Sequence, residues 1–225
     1  MYNYLFFLIV PFLIGLYAQW RVKSAFSQMS NVPTTMTGAQ AARRMLDASG
    51  LQAVPIEMVP GELSDHYDPR AKVVRLSPSV YNDRSMAAVG VACHEVGHAL
   101  QDANAYAPLV IRNLAVPVAN IGSGAGGMLL MLGVVFSMPM MLGLGIILFT
   151  GVVAFQLINL PVEFNASSRA KEQVVSLGIV SGNDSYNYIS RVLNAAALTY
   201  VAATLQSVMT LIYYIMMFMG SQDRE

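Results

Sequence analysis

Charge is what this sequence has least of. Only 12% of its 225 residues are Asp, Glu, Lys or Arg, with 13 of each sign and no net charge, whereas soluble domains carry about 25%. So little charge beside 55% apolar residues means that part of the chain meets lipid. With no basic excess, a nucleic-acid partner is not expected. The single cysteine, Cys93, excludes an internal disulfide and a zinc knuckle built on thiolates. Histidine is scarce too: the chain has three. No internal repeat or low-complexity segment is present.

The charges that exist are confined to certain stretches. Residues 2–20 hold none, and a helix of about 20 apolar residues crosses a bilayer. No basic segment precedes the run and no small-residue cleavage site follows it, so it reads as an anchor rather than a signal peptide. Trp20 suits the headgroup level, and Arg21 and Lys23 follow at once. Leu114 to Leu160 are also free of Lys, Arg, Asp and Glu. That stretch is long enough for two spans, near 115–136 and 140–160, around a turn at Ser137-Met138-Pro139. Gly122, Gly124, Gly126 and Gly127 would let helices approach closely. Residues 196–219 make a fourth uncharged span.

Between these spans the patterning changes. Thr37 to Leu46 (TGAQAARRML) reads as a short amphipathic helix that stops near Gly50. Ile56–Val59 and Lys72–Leu76 alternate like strands, with Asp68-Pro69 as a turn signal between them. A small hairpin or edge strand is the simplest arrangement, and Lys72–Leu76 is the candidate edge for pairing with an extended substrate. Asn82 or Asp83 can cap the helix through MAAVGVACHEVGHALQ. A polar helix carrying Glu163 runs to Gly178, and Asn183 or Asp184 can cap the next one.

Twelve of the thirteen Lys and Arg fall in 21–112 or 162–195. Four spans put both segments on one side, which the positive-inside rule makes the cytoplasmic one.

His94-Glu95-Val96-Gly97-His98 is an H-E-x-x-H sequence in a predicted helix. The i, i+4 spacing stacks both imidazoles on one face, about a turn apart, and two such nitrogens can share one Zn²⁺. Glu95, rotated about 100° round the helix, stands near the metal without having to ligate it. There it can take a proton from a zinc-activated water, whose pKa falls toward ~7, and return it to a leaving amine. A catalytic zinc needs a third protein ligand. The extended metzincin pattern would place a histidine where this chain has Asn104 and a glycine where it has Gln101. Asp102 lies one turn beyond His98 but reads better as a solvated helix-end carboxylate. Glu163 is the stronger candidate, because a carboxylate at a membrane edge without a local partner is costly and so points to function.

Together with VEFNASSRA after the membrane hairpin, this motif resembles the YugP-like neutral zinc metallopeptidases. TGAQAARRMLDASGL, SDHYDPRAKVVRLSPSVY, MAAVGVACHEVGHALQ, YAPL and RVLNAAALTYVAA extend the likeness from about residue 37 to 205. The wider similarity is to HtpX-type membrane peptidases, which share H-E-x-x-H and a later E-[FY]-x-A-D. The resemblance implies zinc on His94, His98 and Glu163, Glu95 as the catalytic glutamate, and polypeptide substrates that include damaged or misfolded membrane proteins. The HtpX-type aspartate four residues after the ligand glutamate is Ser167 here, so Ser167, Asn165 or another group must orient the ligand histidines. His66 and Tyr200 are candidates for stabilising the transition state, against plainer readings as a loop residue and an interfacial aromatic.

The expected fold is mainly α: four transmembrane helices with a small cytoplasmic zincin-like α+β unit. The expected segments are an anchor (1–20), a catalytic unit (21–112), two spans (113–161), helices with the third ligand (162–195), a last span (196–219) and a tail (220–225). The expected activity is that of a zinc endopeptidase with one catalytic ion, in a bacterial inner membrane and facing the cytoplasm. A site-2-type intramembrane protease and a non-catalytic metal-binding scaffold are the alternatives.

Overall fold

The structure, a computed structural model, describes residues 2–180, 182 and 184–222. The chain is mostly helical. In order it forms α1 (Tyr2–Ser30), α2 (Gly38–Ala48), β1 (Ile56–Met58), β2 (His66–Asp68), β3 (Val73–Leu76), α3 (Pro78–Asn82), α4 (Met86–Ala103) and α5 (Ala107–Ile121). A π-helical turn (Gly122–Gly126) joins α5 to α6 (Gly127–Val135), followed by α7 (Pro139–Ser176) and α8 (Ser185–Gln222). Two compact units form. One holds residues 1–18, 107–161 and 199–225, the other 19–106 and 162–198. Four helical stretches are long and apolar enough to cross a membrane: Phe6–Ser30, Ala107–Val135, Pro139–Ser176 and Ser185–Gly220.

In the first unit, glycines set how closely helices approach. α6 and α7 meet around the turn at Ser137, which takes a left-handed φ of 51°. A Cβ on Gly133 would lie 2.6 Å from the Leu142 nitrogen, and one on Gly145 2.7 Å from that of Leu130. Gly122 and Gly126 likewise sit against Leu148. The close approach expected at Gly124 and Gly127 is not found, since a Cβ there meets nothing within 4 Å. Gly122 and Gly126 share a face one turn apart, and the other two point away from it.

The second unit is built around α4. Its apolar side chains pack with Ala41, Ala42, Met45 and Leu46 of α2, Val74 and Leu76 of β3, and Ala170, Val174, Ile189 and Val192 of α7 and α8. α2 begins as its sequence dictates: Thr37 and Gln40 form a reciprocal capping box, satisfying two backbone N–H groups. Gly50, just past its end, has φ 76°. α4 is capped by Ser85, whose Oγ accepts from the Ala88 N–H at 3.2 Å. The expected caps, Asn82 and Asp83, instead end the short α3. Asn183, expected as one cap of the last helix, lies outside the described residues, as does the end of the tail.

The sheet has the order β1-β3-β2. β1 runs parallel to β3, so the two predicted strands do not form a hairpin with each other; β2, not predicted as a strand, pairs antiparallel with β3. The hairpin turn is made by Asp68, whose Oδ1 accepts from the Arg70 and Ala71 N–H groups. Those backbone donors and the neighbouring Arg75 hold its carboxyl below the usual range. The expectation of Lys72–Leu76 as an edge is therefore corrected. β3 is central, with both sides paired, and the outer strands are β1 and β2. Arg75 of β3 ties them together, bonding Asp68 of β2 at 2.7 Å and Glu57 of β1 at 3.2 Å.

Candidate metal centre

Three side chains from two helices converge inside the second unit. α4 presents His94 and His98 one turn apart, with ring centroids 4.8 Å apart and planes at 83°. α7 brings Glu163, whose Oε2 lies 3.3 Å from His94 Nε2 and 3.5 Å from His98 Nε2. One donor atom from each residue lies within 4.8 Å of the others. Four ligands at ~2.0–2.1 Å from a tetrahedral ion stand about 3.3–3.4 Å apart, so the two measured edges are those of a zinc-sized polyhedron. Glu163 is only 4% exposed, and Oε2 is a buried oxygen without a hydrogen-bond partner. A buried, unpaired carboxylate oxygen is costly unless a cation or proton neutralises it.

The close meeting of α4 and α7 depends on Gly97. A Cβ there would lie 2.6 Å from the Ala166 carbonyl oxygen. The small residue inside the motif thus lets the histidine helix reach the helix that bears Glu163.

Glu95 is 8% exposed, and no hydrogen bond or ion pair among the described residues engages its carboxylate. Its charge is felt at His98. Burial alone would lower the His98 pKa, but the adjoining Glu163 carboxylate and the charge of Glu95 raise it above the ordinary histidine value. Two buried carboxylates facing two imidazoles leave this centre short of positive charge.

The far nitrogens of both rings are occupied. His94 Nδ1 is 3.2 Å from Ser167 Oγ. His98 Nδ1 is 3.0 Å from Oε1 of Gln101, which is completely buried. Gln101 Nε2 donates to the Val162 carbonyl at 2.7 Å and to Asn165 Oδ1 at 3.1 Å, and Arg169 Nε donates to that same oxygen at 2.8 Å. The HtpX-type resemblance points to Ser167, with Asn165 as its alternative. It does not point to Gln101, although the i, i+3 spacing from His98 puts that residue on the same helix face.

The other candidates have contacts of their own. His66, on β2, is exposed, and its Nδ1 bonds the Ser64 carbonyl at 2.7 Å. Tyr200 belongs to the part of α8 in the apolar unit, where its carbonyl accepts from Thr204 Oγ1. Asp102 takes a hydrogen bond from Tyr67 at 2.7 Å and pairs with Lys72. Burial, then Asp102, raise the Tyr67 pKa, so the phenol stays a donor. Cys93 is fully buried, and burial pushes its thiol up to about 12.

A buried His–His–carboxylate cluster in a chain with four membrane-length helices defines a membrane protein with a candidate divalent-metal centre. Residues 4–219 match the family described as "Putative neutral zinc metallopeptidase", and the chain belongs to that family. It is 49% identical over 222 residues, 98% of each chain, to the "Putative membrane protease YugP" of Bacillus subtilis (strain 168). No solved structure matches it.

Proposed function

We propose that this protein is a membrane-bound zinc endopeptidase in which His94, His98 and Glu163 hold one catalytic ion and Glu95 is the general acid/base. The observation that carries this reading is the convergence of two Nε2 atoms on the unpartnered Oε2 of Glu163, at 3.3 and 3.5 Å. The donor chemistry fits: two neutral imidazoles and one carboxylate are a zinc set that leaves one coordination position open. When bound, the ion acts as a Lewis acid toward water and a carbonyl oxygen. The unengaged Glu95 carboxylate accepts the proton of the water whose oxygen bonds to the peptide carbon. It then delivers that proton to the nitrogen as the C–N bond breaks.

Two features favour this over the alternatives. A structural zinc site is closed by four protein ligands, and only three such donors gather among the described residues. A site-2-type protease would carry the motif on a spanning helix, and α4 is not among the four helices apolar and long enough to cross.

The substrates are polypeptides met at the cytoplasmic face of a bacterial inner membrane, damaged membrane proteins among them. The orientation rests on the concentration of Lys and Arg in 21–112 and 162–195. His66 and Tyr200 are proposed as stabilisers of the oxyanion. For His66 this requires the imidazolium form, because a neutral ring that donates Nδ1–H to Ser64 presents an acceptor at Nε2.

The test is cleavage of an unfolded polypeptide by the purified full-length protein. Glu95→Gln is expected to lower turnover by about 10²–10⁴-fold while zinc content is retained, and a chelator is expected to abolish turnover. Equal cleavage with and without chelator sinks the reading.

A further inference from the structure

We propose that Gln101 is the positioning residue that makes the centre ready for metal, by locking His98 in the tautomer that keeps Nε2 open and by tying α4 to the backbone beside Glu163. The inference rests on the metal-site reading above and goes beyond its ligand set.

The amide orientation of Gln101 follows from its partners. Its nitrogen faces two acceptors, the Val162 carbonyl at 2.7 Å and Asn165 Oδ1 at 3.1 Å. The reverse orientation would set the amide oxygen against the Val162 carbonyl, oxygen to oxygen. Asn165 is held in turn, because its oxygen also accepts from Arg169 Nε at 2.8 Å. Oε1 of Gln101 must therefore face His98 Nδ1, 3.0 Å away, and an amide oxygen can only accept. Nδ1 then carries the hydrogen, and the neutral ring presents its lone pair at Nε2, on the side of Glu163 Oε2.

The same side chain acts on the second ligand helix. Val162 precedes Glu163, and the bond from Gln101 to the Val162 carbonyl joins α4 to α7 beside the ligand. Ser167 makes the reciprocal tie, from α7 to His94 on α4. Gln101 is wholly buried, so water cannot replace these bonds when the side chain is removed, and His98 Nδ1–H and the Val162 carbonyl would both lose a partner.

The experiment measures zinc affinity of the full-length protein in detergent, by competition with a chromophoric chelator. Gln101→Leu keeps comparable bulk without polar atoms and is expected to weaken zinc binding by about 10- to 100-fold. Gln101→Glu retains an acceptor for His98 Nδ1–H but sets an oxygen against the Val162 carbonyl, and is expected to recover only part of that loss. Asn104→Ala removes a hydrogen bond to the Leu100 carbonyl at the end of the same helix and should leave affinity unchanged, which separates positioning from general loosening of α4. Cobalt d–d absorption in the Gln101→Leu protein is expected to show altered ligand geometry. Should that variant not fold, Asn165→Ala carries the test, since it frees Gln101 without touching His98, and a several-fold loss is expected. Wild-type affinity in Gln101→Leu, or in Asn165→Ala where that variant carries the test, overturns the proposal while leaving the metal site intact. Failure of the unmutated protein to bind zinc overturns the underlying reading as well.

Discussion

In the unit formed by residues 19–106 and 162–198, Ala41, Ala42, Met45 and Leu46 are wholly covered. In the other, Leu114, Met140 and Ile147 keep 74%, 73% and 69% of their surface exposed. The same apolar residue types are thus buried by other side chains in one unit and left for lipid in the other. The contrast extends to what holds helices together. Glycines admit a neighbouring backbone in both, at Gly122, Gly133 and Gly145 of the apolar unit and at Gly97 of the polar one, but the apolar unit has little else. The polar unit combines a packed core with hydrogen bonds and ion pairs, and among the described residues only there do carboxylates and imidazoles converge. Buried polar chemistry needs a framework that specifies each partner, and a lipid-facing surface supplies none.

The most disruptive way to test this contrast is to empty both kinds of position. Leu46→Ala is expected to cost about 2–5 kcal/mol through loss of packing, read by chemical denaturation of the zinc-free protein. Leu114→Ala, on an exposed face, should change stability by about 0.5 kcal/mol or less. Comparable losses at both would erase the distinction. A charge probes the same difference from the lipid side. Ile147→Lys should disfavour insertion by about 2.5–3.5 kcal/mol, seen as a reduced fraction in the membrane, and full insertion would contradict a lipid-facing position.

Smaller changes sharpen the comparison at the glycines. Gly97→Ala, forced against the Ala166 carbonyl, should cost about 1–3 kcal/mol and weaken zinc binding, because it separates the histidine helix from Glu163. Gly124→Ala meets open space and should be neutral or stabilising by up to about 1 kcal/mol in a helix. The smallest expected signal is chemical. Cys93, with its thiol at about 12, should resist alkylation at neutral pH in the folded protein and react once the protein is denatured. Fast labelling of the folded protein would mean that α4 is less buried than described.

What could be read in advance follows the same division. Long uncharged runs mark the apolar helices because lipid constrains composition along the whole length. The H-E-x-x-H spacing marks two imidazoles on one face because helical periodicity is local, and Glu163 stands out as an acid with no neighbour to explain it. Three features escaped. β2 is only three residues long and is made a strand by pairing with β3, which local pattern cannot reveal. α7 runs unbroken past Pro161 and α8 past residue 195, so a change from apolar to polar composition does not end either helix. Gln101 carries no charge, and its i, i+3 spacing from His98 gives a shared helix face but no role. Its meaning comes from Val162 and Asn165, about sixty residues away in sequence.

The metal content of the purified full-length protein decides whether His94, His98 and Glu163 hold an ion. About one zinc per chain is expected in the unmutated protein and in Glu95→Gln, with content falling well below that in His98→Ala and Glu163→Ala. Full zinc content in Glu163→Ala would contradict the account, because the carboxylate brought from α7 would then not be holding the ion.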